Sequence, residues 1–337
     1  MESLYAELVS NGILQQCPKS HVQDYLGSFS FLGSILEKSN ILPDPSMGQV
    51  RQAITEYCIL PLGSQYIHEK VPSHIKSVLL YGMPRTGKTL LSHAVANLAG
   101  ANFFNLSPRN TDGKYPGKAA GLMIHMVFKV ARTMAPSVIY IDEAEKVFVS
   151  DKKKKKEFQP YSEALDRIKK LLVKEWKKMV PGERVLVIGN SCMPQVCLKK
   201  DKKPFLSFWN KHIYVPVPDY ASLRILWPGL FARHSGTLNY EFDLSTLCSI
   251  SENYTSGDID LVTSSMMTAR RKEILRKRPL TVKEVLQWLS KVKPVLPDDD
   301  GVVRKWTNDL PVRAAILGST GKRPKSAKKG KGKKGKK

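Results

Sequence analysis

Residues 82–89 read GMPRTGKT, a G-x-x-x-x-G-K-T frame set directly behind the apolar run SVLLY and opening the stretch KTLLSHAVANLAG. No other feature restricts the fold so tightly. A loop of this kind curls consecutive backbone N–H groups around anionic oxygens at the start of a helix, where the helix dipole also favours negative charge. The arrangement needs a buried strand to deliver the loop and a helix to receive it, so the frame implies a strand–loop–helix unit and α/β packing. The cradle is expected from Gly82, Met83, Pro84, Arg85, Thr86 and Gly87. Lys88 would reach the β- and γ-phosphates of a nucleotide, and the Thr89 hydroxyl would ligate Mg2+.

Apolar and amphipathic segments alternate along the chain that follows. ANFFNLS, SVIYIDEA, RVLVIGNS and KHIYVPVP read as four further strands, with helical stretches at GKAAGLMIHMVFKVARTMA and YSEALDRIKKLLVKEWKKMV. Uninterrupted apolar strands between helices predict a parallel sheet covered on both faces. A helix is expected from Ser46, with Val50, Ile54 and either Tyr57 or Cys58 on one face and Pro61 as its stop. After Asp219 the pattern is helical only, at YASLRILWPGLFARHSG, GDIDLVTSSMMTARRKEILRK and TVKEVLQWLSKV, which predicts a separate small all-α domain. The second half of the site is expected at VIYIDEAEKVF. Four apolar residues carry Asp142 to the C-terminal tip of a strand, where ligands of such sheets bind. Asp142 would hold Mg2+, directly or through water, and Glu143 would polarise the attacking water as general base.

The 337 residues, 42% of them hydrophobic, suffice for one large domain or two modest ones. No run approaches the roughly 18–20 apolar residues of a membrane helix. The opening MESLYAELVSNGILQQ lacks the basic start of a secretory signal. Five cysteines (Cys17, Cys58, Cys192, Cys197 and Cys248) form no CxxC pair, which fits a soluble chain in a reducing compartment, with Cys192 and Cys197 as ordinary thiols rather than metal ligands. The net charge of +24 is concentrated: residues 322–337 carry ten Lys/Arg and no acid, and residues 152–156 are five consecutive lysines. Such runs stay solvated and grip polyanions electrostatically. Nucleic acid is the less favoured partner, because the lysines are not interleaved with aromatics.

Residues 46–295 resemble an AAA-type ATPase module. SVLLYGMPRTGKTLLSHAVANLAG, APSVIYIDEAEKVF, RVLVIGNSCMP, KHIYVPVPD and YTSGDIDLV come in that family's order and near its spacings. The resemblance implies a P-loop NTPase sheet with helices on both faces, a small all-α lid, ATP with Mg2+ at their junction, and assembly with other AAA subunits. It also implies that Gly257 and Asp258 belong to the nucleotide site. On that frame the chain divides into an N-terminal helical or irregular segment (1–45), a large α/β nucleotide-binding domain (46–220), a helical lid (221–295), and a linker with a disordered lysine-rich tail (296–337). More narrowly, LVSNGILQ, YLGSFSFLGS and ILPLGS, with the lysine-rich tail, resemble the C-terminal half of the IQ-and-AAA-domain ciliary proteins, a group that includes the AAA subunit of the nexin–dynein regulatory complex. That resemblance implies a cytoplasmic, cytoskeletal chain of the cilium or flagellum axoneme. Its lysine-rich segments would meet axonemal proteins and tubulin, with no membrane partner.

Several positions depart from the family pattern. The slot that usually holds a water-orienting Asn is Cys192, and Asn190, two residues earlier with the same facing, is the candidate substitute sensor. The two positions expected for an arginine finger are Ser207 and Phe208. Such an arginine is worth roughly 10³–10⁵ in rate in related NTPases. The nearby Lys211 offers point charge without the bidentate fork. Arg85 stands where relatives usually have glycine, at a cost of roughly 1–2 kcal/mol if it keeps glycine's backbone. Its guanidinium is expected to point to solvent, with an added clamp on the phosphates as the alternative. Tyr115 in GKYPGKAAG is the candidate pore-loop aromatic. The expected function is an ATP-binding structural or regulatory subunit with weak or absent hydrolysis. The alternative is an active AAA ATPase that remodels or severs a protein or microtubule substrate.

Overall fold

The computed structural model describes residues 1–30, 35–36, 43–71, 74–151, 157–158, 161–197 and 201–320. The lysine runs at 152–156 and 322–337, with the tail proposed there, lie outside the described residues. Six strands form one sheet: β1 Leu14–Gln15, β2 Ser77–Tyr81, β3 Asn102–Asn105, β4 Ser137–Ile141, β5 Val185–Ser191 and β6 Lys211–Tyr214. Their order is β1-β3-β4-β5-β2-β6, with β2 to β6 parallel and β1 antiparallel to β3.

Alternation along the central strands separates two cores. Leu79, Tyr81, Ile139, Ile141, Val185 and Val187 face one layer, which the helices Ala119–Thr133, Lys169–Lys177 and Pro297–Asn308 cover. Val78, Leu80, Val138, Tyr140, Leu186 and Ile188 face the other, under the helices Met47–Ile54 and Lys88–Ala99. Because both faces are buried, each strand reads as a continuous apolar run, the pattern the sequence displays. A third core gathers Leu223, Trp227, Phe231, Leu247, Ile259, Val285 and their neighbours into the all-α lid. Among the described residues no helix is long and apolar enough to cross a membrane.

Local differences from the expected elements have local causes. The N-terminal segment contributes the edge strand β1, too short to show a period, where the Asn105 N–H donates to the Ile13 carbonyl at 2.7 Å. Ser46 caps the helix at Met47 in a capping box with Gln49, as a Ser-x-x-Gln start implies. Pro61 does not stop it. A π turn over Thr55–Ile59 precedes a further helical turn, Leu60–Gly63, and this wider turn gives the proline ring the room an α turn would deny it. Cys58 is the buried member of its pair, and Tyr57 turns outward. The helix expected over 161–180 is confined to Lys169–Lys177 after a 3₁₀ turn, because the Asp112 carboxylate holds the N–H groups of Ser162 and Glu163 outside it. In the lid, Thr268 caps a new helix at Ala269 and divides the long one expected there. Residues 297–308, expected in a linker, form a helix with Pro297 in its first turn and three aspartates at its positive end, and it buries Val303 and Trp306 against the sheet.

Candidate functional site

β2 delivers the loop at its C-terminal end, and β4 delivers Asp142 at its own. β5 lies between these strands, so its tip separates the loop from the acid. Gly87 has φ 96, and a side chain there would meet the Tyr25 ring at 2.9 Å, so only glycine serves at this entry to the helix Lys88–Ala99. Lys88 is buried, and its ammonium donates to the carbonyl oxygens of Gly82 (3.0 Å) and Met83 and to Thr86 Oγ1 (3.3 Å). Burial lowers its pKa, while Cys192, Glu145 and Asp142 favour the ammonium. Thr86 Oγ1 donates to the Met83 carbonyl at 2.9 Å, which braces the loop from inside. Thr89 and Pro84 face outward.

On the acidic side, the Asp142 N–H donates to Ser107 Oγ at 2.9 Å, and Oδ1 accepts from the Glu143 N–H at 3.0 Å. Burial raises the Asp142 pKa; the Glu143 N–H, Lys88 and Arg109 act against it. Glu143 has φ 49. Its carboxylate lies 2.8 Å from Lys146 Nζ and 3.5 Å from Arg109 Nη2, and accepts from the Tyr161 hydroxyl at 3.0 Å. Glu145, not singled out from the sequence, is 1% exposed, with Oε2 unpartnered among the described residues, and burial raises its pKa. The available signal was its spacing, three residues beyond Asp142 on a helical turn.

Cys192, rather than Asn190, is the β5-tip residue beside Lys88. Asn190 is buried: Oδ1 accepts from Ser92 Oγ at 3.0 Å and Nδ2 donates to the Tyr140 hydroxyl at 2.9 Å. Its amide is thereby committed on both sides, and its reach toward Thr89 runs through Tyr140. At the expected finger positions, Phe208 is buried and the Ser207 hydroxyl bonds the Pro204 carbonyl. Lys211 sits over the Tyr57 ring at 4.5 Å.

Arg85 adopts φ 61, and its half-exposed side chain reaches the lid rather than the cradle. Its guanidinium meets Asp258 at 2.8 Å, and its carbonyl accepts from the Gly257 N–H at 2.8 Å, joining the loop to the lid helix Ser256–Met266. Gly257 and Asp258 therefore do lie at the loop. Tyr115 does not: its hydroxyl donates to Glu7 (2.9 Å) and accepts from Asn11 (2.9 Å), so the ring is fastened to the N-terminal helix rather than offered as a free grip.

These groups suit a nucleoside triphosphate with Mg2+. A buried ammonium sits against loop oxygens, the exposed Thr89 reaches the side chain of Tyr140, two residues before Asp142, and an unpartnered carboxylate oxygen of Glu145 is buried near Lys88. Among the described residues no three His, Cys, Asp or Glu side chains gather as a metal site; Mg2+ is usually held by one or two carboxylates together with substrate phosphates. None of the five cysteines is joined in a disulfide, and Cys197 Sγ donates to the Glu145 carbonyl at 3.5 Å.

The profile of the ATPase family associated with various cellular activities (AAA) matches residues 78–200. Dynein regulatory complex protein 11 of Mus musculus is 39% identical over 100% of this chain and 39% of its own length. Spastin of Ixodes scapularis is 28% identical over 77% of this chain and 40% of its own. This chain thus spans about two fifths of those relatives. Among solved structures, the FIGL-1 AAA domain in complex with ADP superposes with a TM-score of 0.63 at 22% identity, over 91% of this chain and 96% of that one. A structure titled for katanin self-assembly gives 0.58 at 19% identity, over 87% and 99%.

Proposed function

This chain carries a domain of the AAA family, and from that premise we propose that it is an ATP-binding structural or regulatory subunit of the ciliary axoneme, like the dynein regulatory complex protein it resembles, with weak or absent hydrolysis. Gly82 to Gly87 would cradle the phosphates, Lys88 would offset their charge, and Thr89 with Asp142 would hold Mg2+. The ion would withdraw charge from the phosphates. Gly257 and Asp258 would close the site from the lid.

The observation that carries the reading is the contrast between the two halves of the site. The holding half is formed, while a buried Phe208, a self-bonded Ser207 and an engaged Lys211 occupy the places from which a neighbour would extend a cation. Losing such an arginine removes roughly 10³–10⁵ in rate. Tubulin and axonemal proteins are the proposed partners of the lysine-rich runs, through charge. The second reading, an active remodelling or severing ATPase, is supported by the retention of Lys88, Asp142 and Glu143 and by the similarity to spastin. Measuring ATP affinity and turnover on one sample, with and without Lys88→Ala, separates the readings. Binding that Lys88→Ala abolishes, with turnover far below one per second, is expected. Ring-dependent turnover of roughly tens per second, ordinary for enzymes, would establish the second reading instead.

A further inference from the structure

We propose that His68 and His74, with the Glu56 carboxylate, form a binding site for a divalent transition-metal ion such as Ni2+, Cu2+ or Zn2+, a site that shares no residue with the phosphate loop. The three line one cavity of about 90 Å³, whose other walls include Pro61 and Ile75. That is room for an ion and its water. His68 lies in the last turn of the helix Gln65–Lys70, Glu56 in the π turn over Thr55–Ile59, and His74 shortly before β2. The two imidazoles meet edge to face, with centroids 4.8 Å apart.

The arrangement of protons and lone pairs suits ligation. His68 Nδ1 lies 3.2 Å from the Pro61 carbonyl oxygen. A carbonyl only accepts, so Nδ1 carries the proton and the neutral ring keeps its lone pair on Nε2. Metal-ligating histidines are oriented in this way, by an acceptor on the nitrogen that does not touch the ion. The Nε2 atoms of both His68 and His74 are buried, with no hydrogen-bond partner among the described residues. Two such orphans on one cavity are uncommon in a native interior. Burial, followed by His68 and Lys76, lowers the His74 pKa against the pull of Glu183, and so favours the neutral imidazole that a metal requires. The Lys76 ammonium itself donates to the Met179 carbonyl. Imidazole nitrogens suit Zn2+, Cu2+ and Ni2+, whereas Mg2+ takes oxygen ligands. Glu56 is exposed, and its Oε1 accepts from Gln52 Nε2 at 2.7 Å. As they stand, the three side chains do not converge on one point. The carboxylate completes the set by rotating inward, with water in the remaining positions. An ion so held clips the helix Gln65–Lys70 to the stretch that enters β2, the strand that ends in the phosphate loop.

Calorimetric titration of the untagged full chain with Ni2+ alone tests it. His68→Gln and His74→Gln are each expected to weaken the tightest Ni2+ site roughly tenfold or more, since even the partner of a ligating histidine is worth about 10–100-fold in affinity. Glu56→Gln should weaken it by a smaller factor. His125, exposed on the helix Ala119–Thr133, supplies the control, and His125→Gln should leave the affinity unchanged. Where a histidine variant fails to fold by circular dichroism, X-ray absorption at the nickel edge on the unmutated chain decides: scattering from two imidazole rings is expected at one equivalent of metal. Affinity unchanged in both folded histidine variants, or a nickel spectrum without imidazole, would mean an adventitious ion only and overturn the proposal.

Discussion

Arg85 and Asp258 meet at 2.8 Å across the junction of the phosphate loop and the lid, and the Arg85 carbonyl takes the N–H of Gly257 alongside. A residue that looks misplaced within the loop frame thus has a specific task in joining loop to lid. A lid tied to the loop by backbone and side chain at once reports any movement of one to the other.

Two substitutions at Arg85 separate its contributions. Glycine relieves a left-handed backbone, a gain of roughly 1 kcal/mol, and gives up an ion pair whose arginine is 48% exposed, worth under about 1 kcal/mol after screening. Alanine gives up the pair and keeps the strain. Arg85→Gly should therefore melt close to wild type and Arg85→Ala roughly 2–4 °C lower. In both, amide exchange over Ser256–Met266 should quicken. Equal melting temperatures for the two variants would remove the backbone strain from the account.

Trp306 packs edge-on against Tyr81 at 4.8 Å between centroids, on the strand that leads into the loop. It is 4% exposed, and Trp306→Ala is expected to cost about 3–5 kcal/mol in urea denaturation. A cost below about 1 kcal/mol would mean that the helix Pro297–Asn308 is not docked in solution.

Burial lowers the His212 pKa to about 4, and its Nε2 is unpartnered among the described residues. The folded state holds the ring neutral, whereas the unfolded chain takes up a proton near its ordinary value of 6.5. Stability from this residue is complete above pH 6.5 and is lost as pH falls toward 4, by up to about 3 kcal/mol. His212→Phe should lose less stability than wild type between pH 7 and pH 4.5 in paired denaturation curves. His74 and His93, lowered in the same direction by burial, keep part of the slope in both proteins.

Tyr115→Phe removes the hydroxyl that links Glu7 and Asn11 and leaves the ring. The expected effect is a loss of about 1–2 kcal/mol of local stability, read as faster amide exchange over Glu2–Ser10. A defect in polypeptide threading with unchanged exchange would return Tyr115 to the pore-loop role.

The parallel sheet and the phosphate loop were legible because their signals are local: an apolar run, a glycine frame and a helix start adjoin in sequence. Asp142 was legible for the same reason. Arg85 was not, because its partner lies 173 positions away at the start of a lid helix, and no spacing rule connects them. Lys146 and Tyr161 were missed since their meaning depends on where Glu143 turns, and a left-handed backbone at a glutamate leaves no trace in periodicity. Asn190 was placed on the correct strand, yet alternation indicates only a face, and which neighbour claims the amide is decided by Ser92 and Tyr140. The helix at 297–308 was obscured by its opening aspartates, which resemble a solvated linker until the buried Val303 and Trp306 are seen behind them.

The segment before the first full helix of the large domain runs between three bodies. The Tyr25 ring lies against Gly87, Leu26 fills the space left by Gly229 in the helix Tyr220–Arg233, and the Ser28 N–H donates to Ser222 Oγ at 3.2 Å while its carbonyl accepts from the Gly48 N–H at 3.0 Å. A swing of the lid must therefore either peel this strap away or drag it across the mouth of the phosphate loop. The phosphate loop, the lid and the helix Met47–Ile54 thus share one short packing partner, so a displacement of any of them must be accommodated by the same four residues, Tyr25 to Ser28.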